Sequence, residues 1–292
     1  WLEQPRGEPM LTPSELEQLT THLVKNYGLR KVRLTGGDPT SRRELVEIIQ
    51  RISQIEGIDD LAMTTNGLTL VKRARDYADA GLQRINLSMD SLDPKRFAQM
   101  TGVDGLSRVL AGIDAAKDAG IGPIKINTVV LRDENDVELP ELVRFAAQRG
   151  VVIRFIELMP MGPLASSWAE RYVPEQEMRE RIDPIARSWE PLHQGHDAAR
   201  RYRVELDDGS GAEVGFITPM SCNFCADCNR VRLAADGAIY PCLMDEPRGS
   251  LLDAVRPVFD GDAVDAALSE AFAQKQPEHP HDGFVVMTHI GG

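Results

Sequence analysis

Between residues 13 and 160 the chain alternates helical and strand patterns every roughly 25–35 residues, the rhythm of βα units in a parallel sheet. No other feature restricts its fold as much. The first segment, "MLTPSELEQLTTHLVKNYG", predicts a helix. Thr12 and Glu15 have capping-box spacing, Pro13 suits the first turn and Gly28 ends it. Leu16, Leu19, Leu23 and Val24 recur at helical spacing. "KVRLTGG" then predicts a short strand running into a glycine turn. Further helices are expected around Leu45, Ile48, Ile49 and Ile52, near Lys72–Ala80, around Leu106, Val109, Leu110 and Ile113, and over Val137–Arg149. The strands "LAMTTNG", "RINLSMDS", "IKINTVVL" and "VVIRFIELMP" separate them. The strands end in small or polar residues: Thr35-Gly36-Gly37, Thr64-Thr65-Asn66, Ser88 and Asp90, Asn127-Thr128, Glu157 and Met159. In parallel barrels, the carboxyl ends of the strands build the site. A helix-first start with five visible strands predicts a partial α/β barrel that lacks its first βα unit.

After Pro160 the rhythm stops. "MGPLASSWAERYV" reads as a loop, "RYRVELDDGSGAEVGFI" as a hairpin turning at Asp208-Gly209, and "RVRLAADGAIYPC" as a second hairpin turning at Asp236-Gly237. A short acidic, amphipathic tail ends in "MTHIGG". Two domains are therefore expected: residues 1–160 as the partial barrel and residues 161–292 as a C-terminal module.

The formal charge of −12 argues against broad attraction to nucleic acid or an anionic membrane, so an anionic ligand must be held by local positive groups. No apolar run is long enough to span a bilayer, and the start is not a signal peptide. All four cysteines lie in "SCNFCADCNRVRLAADGAIYPC", which does not fit a disulfide scaffold and points to a reduced, cytoplasmic compartment. Cys225-x2-Cys228 presents two thiols from one turn, and Cys242 follows across the expected hairpin. Three thiolates can hold zinc or an iron–sulfur cluster. Spacing alone favours a structural zinc ribbon with Cys222 as fourth ligand. Against that, the window lacks a ribbon's second close pair. Arg230 and Arg232 also alternate along one expected strand face, where guanidinium forks suit phosphate oxygens. Solvent-facing strand arginines are the plainer alternative, and the metal stays open at this point.

The window "FCADCNRVRLAADGAIYPCL" resembles the C-terminal cluster motif of the GTP 3′,8-cyclase family, radical S-adenosylmethionine enzymes that open molybdenum cofactor (molybdopterin) biosynthesis. The resemblance extends through "KVRLTGGDP", "MTTNG", "INLSMDSLD", "MTG", "AGIDAA", "KINTVVLRDEND", "RFIELMPMG" and the closing "IGG". It implies a partial (βα)6 TIM-like barrel with two 4Fe–4S clusters. The N-terminal cluster binds and cleaves S-adenosylmethionine, and the C-terminal one leaves an iron open for the guanine of GTP. Hydrogen removal from the ribose C3′ and attack on C8 then give the 3′,8-cyclic nucleotide. By this resemblance Cys225, Cys228 and Cys242 are the C-terminal cluster ligands. Arg33, Thr64, Lys125, Arg230 and Arg232 contact GTP, and Gly37, Ser88 and Met159 contact S-adenosylmethionine. Asp38 stands where the family usually has Glu, with a shorter reach, and Gly291-Gly292 matches a tail that reaches the site. A homodimer and a downstream partner, cyclic pyranopterin monophosphate synthase, also follow from the resemblance.

The family's N-terminal C-x3-C-x2-C motif is not in this sequence, which begins at Trp1. The expectation is that the parent protein carries it upstream and that the chain alone does not complete the reaction. Cys222 is a second departure and is expected to be a bystander thiol rather than a ligand. Two rivals remain: a zinc-stabilised, non-catalytic nucleotide-binding barrel, and another radical S-adenosylmethionine maturase with an auxiliary cluster.

Overall fold

In the computed structural model, which describes residues 10–193, 197–222, 225 and 228–276, the expected alternation appears in chain order. It runs α1 (Pro13–Tyr27), β1 (Lys31–Leu34), α2 (Leu45–Ser53), β2 (Asp60–Thr65), α3 (Leu70–Asp79), β3 (Arg84–Ser88), α4 (Pro94–Thr101), α5 (Leu106–Asp118), β4 (Ile124–Val130), α6 (Leu139–Arg149) and β5 (Val152–Glu157). Beyond these lie α7 (Trp168–Arg171), α8 (Glu175–Ile182), β6 (Ala186–Pro191), β7 (Ala199–Leu206), β8 (Gly211–Ile217), β9 (Arg232–Leu233), β10 (Ile239–Tyr240), α9 (Leu252–Val255) and α10 (Gly261–Ala273). The predicted capping box is present at α1. Glu15 N donates to Thr12 Oγ1 at 3.2 Å and Thr12 N to Glu15 Oε2 at 2.7 Å. Gly28 closes the helix at φ +66°.

The chain divides into two compact units. The first draws on residues 1–64, 76–84 and 229–292, the second on 65–75 and 85–228. In the first, β1 and β2 pair in parallel, with Arg33 opposite Ala62. Its core buries Leu11 and Leu19 from the N-terminal side with Ile239, Leu251, Val255, Val264 and Leu268 from the C-terminal side. Each such side chain contributes about 1.5–3 kcal/mol when fully buried. The tail read as amphipathic thus supplies α9 and α10, the latter capped by Asp260, whose Oδ1 accepts from Ala263 N at 3.1 Å.

In the second unit the strand order is β3-β4-β5-β8-β7-β6. β3, β4, β5 and β8 run parallel, and β7 and β6 return antiparallel. The predicted β7–β8 hairpin turns where expected. Gly209 sits at φ +84°, and Asp208 Oδ1 accepts from Ser210 N at 2.9 Å. β8 lies parallel beside β5, a long-range pairing that the local hairpin signal did not reveal.

One expectation is corrected. "MGPLASSWAERYV" is not a plain loop, because a 3-10 turn over Gly162–Ser167 leads into α7. Trp168 fixes it by donating from Nε1 to Leu158 O at 2.7 Å and stacking on Tyr172, with centroids 5.0 Å apart. Among the described residues, no helix is long and apolar enough to cross a membrane.

Candidate functional site

The cysteine window follows β8 after a short turn. Thr218 closes that turn onto the window's first cysteine: Cys222 N donates to Thr218 O at 3.3 Å, and Thr218 Oγ1 donates to Cys222 O at 3.1 Å. Cys228 N donates to Cys225 O at 3.1 Å, so the two central thiols leave one tight turn, as their spacing predicts. Cys222 is exposed, while Cys225, Cys228 and Cys242 are half-buried, and all four are free thiols. In the first unit, Met244 N donates to Cys242 Sγ at 3.4 Å. Cys225 and Cys228 are therefore two reduced thiols presented from one turn, a donor pair of the kind that soft metals and clusters take.

The two arginines between them differ from expectation. β9 covers only Arg232–Leu233, with Tyr240 opposite Arg232. Arg230 precedes the strand, and its carbonyl accepts from Lys275 Nζ at 3.4 Å rather than from a ladder partner. The strand-face alternation read for Arg230 and Arg232 thus does not extend to Arg230. Beyond them the hairpin turns as predicted, with Gly237 at φ +88° and Asp236 Oδ1 accepting from Ala238 N at 3.0 Å.

Arg33 is exposed on β1, and Thr64 is buried at the end of β2. Nearby, burial opposes ionisation of Asp60, but the Arg84 fork and the charges of Lys31 and Arg33 hold its carboxyl below the usual range. In the turn after β1, Gly36 takes the left-handed conformation at φ +136° and Gly37 is exposed. Asp38 caps the following 3-10 turn, its Oδ1 accepting from Thr40 N at 2.9 Å and Thr40 Oγ1 at 2.6 Å. That carboxylate already has work within its own turn.

In the second unit, Ser88 is exposed at the end of β3, and Met159 is half-buried two residues past β5. Lys125 lies on β4, 3.8 Å from Asp197. Burial works against the Asp197 charge, but Lys125 first and then Arg154 keep its carboxyl low. Arg154 was not singled out from sequence. It is buried on β5 opposite Gly215 of β8, where an added Cβ would come within 3.1 Å of its side chain, and it donates to Asn86 Oδ1 at 2.8 Å. The signal was present as a charged residue inside the apolar run "VIRFI". Gly291 and Gly292 lie outside the described residues.

Comparison with known proteins agrees with this arrangement of elements. The Radical SAM superfamily pattern matches residues 3–146, and Molybdenum Cofactor Synthesis C matches residues 151–281. A GTP 3′,8-cyclase of Rhizobium leguminosarum bv. trifolii is 38% identical, over 96% of this chain and 79% of its own length. One from Pelotomaculum thermopropionicum is 41% identical, over 94% of this chain and 84% of its own. Among solved structures, Streptococcus suis SuiB bound to precursor peptide SuiA aligns with a TM-score of 0.59 at 15% identity, over 96% of this chain and 70% of that one, which is a likeness of fold. At this identity and coverage, the chain belongs to the GTP 3′,8-cyclase family of the radical S-adenosylmethionine superfamily.

Proposed function

We propose that this chain takes GTP as substrate in the cyclisation that opens molybdenum cofactor biosynthesis. Cys225, Cys228 and Cys242 hold a 4Fe–4S cluster. Arg33, Thr64, Lys125, Arg230 and Arg232 bind the nucleotide, and Gly37, Ser88 and Met159 bind S-adenosylmethionine. When bound, S-adenosylmethionine supplies a radical that abstracts hydrogen. The chain's own residues bind and orient. Lysine and arginine side chains offset the triphosphate charge in a protein that is acidic elsewhere. Lys125 now faces Asp197, so a bound phosphate oxygen would replace that carboxylate as its counter-ion. The barrel closure expected from the family, and a division near residue 160, belong to the same proposal.

The observation that carries it is the confinement of all four thiols, none in a disulfide, to one window of a chain 38–41% identical to GTP 3′,8-cyclases. The test is anaerobic reconstitution with iron and sulfide, followed by titration with GTP and with ATP. About four irons per chain and a clear preference for GTP are expected. Zinc without sulfide, or equal binding of both nucleotides, would sink the proposal in favour of a zinc-stabilised nucleotide binder.

A further inference from the structure

β5 ends on Glu157, which is buried and lies outside every ligand set considered so far. Its two oxygens are filled by one segment of chain and one helix. Oε2 accepts from Met220 N at 3.0 Å and Ser221 N at 2.9 Å. Oε1 accepts from Ser221 Oγ at 2.5 Å and from Glu175 N at 3.2 Å. Tyr172 closes the group: burial first, then the charge of Glu157 and a hydrogen bond to it, push its phenol up to about 12. All these residues belong to the second unit.

The two elements so gripped are those that need a grip. α8 begins at Glu175 with Pro174 as N-cap and no side-chain cap of its own, so its first N–H would be an orphan donor. Glu157 supplies the acceptor, with negative charge at the positive end of the helix. Met220 precedes the cysteine window and Ser221 opens it, and the Thr218–Cys222 turn closes around both. The window is therefore tied to the sheet by a charged acceptor, a stronger tie than neutral hydrogen bonds give.

We propose that Glu157 is a positioning residue for the metal site: it fixes the root of the cysteine window on the end of β5, so that Cys225 and Cys228 leave a rigid point and hold iron tightly. This rests on the proposed ligand role of those cysteines. A site held from one rigid root retains metal longer than one whose ligand loop can peel away.

The test compares reconstituted wild-type chain with Glu157→Gln, Ser221→Ala and, as control, Glu138→Gln. The Gln amide keeps the shape but offers one acceptor oxygen and presents N–H to N–H at the other. Glu138 is a second buried carboxylate of the same unit, binding Ser91 and Leu92 N rather than the window. Iron release to a ferrous chelator and the electron paramagnetic resonance of the reduced cluster are the readouts. Glu157→Gln is expected to release iron about tenfold faster, with a changed resonance, Ser221→Ala by a smaller factor, and Glu138→Gln at the wild-type rate. Wild-type release from Glu157→Gln, or equally fast release from Glu138→Gln, would overturn the inference. If Glu157→Gln fails to fold, Ser221→Ala decides, and an unchanged rate there overturns it. A wild-type chain that takes up no iron refutes the ligand proposal itself, a result distinct from the others.

Discussion

Two carboxylates of the second unit stand at the ends of β5 and β3, with β4 between those strands, and they differ in how many donors reach them. Glu157, at the end of β5, receives Met220 N, Ser221 N, Ser221 Oγ and Glu175 N. Asp90, just past β3, accepts from Val129 N at 2.9 Å, with no other donor to it among the described residues, and burial pushes its carboxyl up to about 6. One group is a charged hub around which a helix start and a loop root are organised. The other is a carboxyl that its site disfavours as an anion. What separates them is the number of donors aimed at each, since a carboxylate is stabilised by the N–H groups it receives and penalised by the water it loses. Donors that converge on a strand end mark where the fold invests in position. A strand-end acid with few donors keeps its proton to higher pH than an ordinary carboxyl does.

The largest effect expected from this contrast is on Glu157. Glu157→Ala strands several buried donors at once and should cost about 3 kcal/mol or more in urea unfolding. Loss of less than about 1 kcal/mol would mean that water replaces the carboxylate easily, and the hub would be no more than a local contact.

Asp90 should respond in the other direction. Its folded pKa of about 6 lies above the ordinary aspartate value of 3.8. The stability associated with its neutral form is therefore fully present below about pH 4 and lost as pH rises through about 6. Asp90→Asn keeps an oxygen for Val129 N and removes the charge. It should stabilise the chain by on the order of 2 kcal/mol at pH 8, with the gain fading as pH falls to about 4. A gain that does not change with pH would break the comparison at its second member.

Which of these features could be read from sequence follows from the range of each interaction. The Thr12–Glu15 box and the turns at Gly209 and Gly237 span three or four residues, and the sequence patterns matched them. The Cys225–Cys228 turn was legible for the same reason. Helix α4 carried a comparable local signal, with Asp93 capping Arg96 N and Gly102 ending it in the left-handed region, although "SLDPKRF" was not read as a helix start. Glu157 was noticed only as a polar strand end, because its partners at 220 and 221 lie more than sixty residues away and nothing local announces them. The β5–β8 pairing and the place of Arg154 opposite Gly215 were hidden in the same way. Local chemistry named the cysteines, whereas the acceptor that roots their loop depends on sheet order.

The smallest effect concerns a third carboxylate, in the first unit, which adds a partly exposed member to the comparison. Glu15 sits at the start of α1, where Arg256 grips both its oxygens, Nε to Oε1 at 2.6 Å and Nη2 to Oε2 at 2.9 Å. The Arg256 hydrogen bonds hold the Glu15 carboxyl down at about 2, against the opposing pull of burial. Its sign is the reverse of Asp90: the stabilisation is present above about pH 4.5 and is lost as pH falls through about 2. Arg256 remains partly exposed, with a side chain 33% accessible, so solvent screens the pair and its worth is about 1 kcal/mol rather than the full value of the shift. Glu15→Gln isolates this term, because Gln preserves the capping box with Thr12 while removing the charge. The variant should lose about 1 kcal/mol at pH 7, with the difference from wild type shrinking as pH falls from about 4.5 toward about 2. A loss that persists undiminished at the acid end would assign the contribution to geometry at the helix start, and donor number rather than charge would then govern this carboxylate as well.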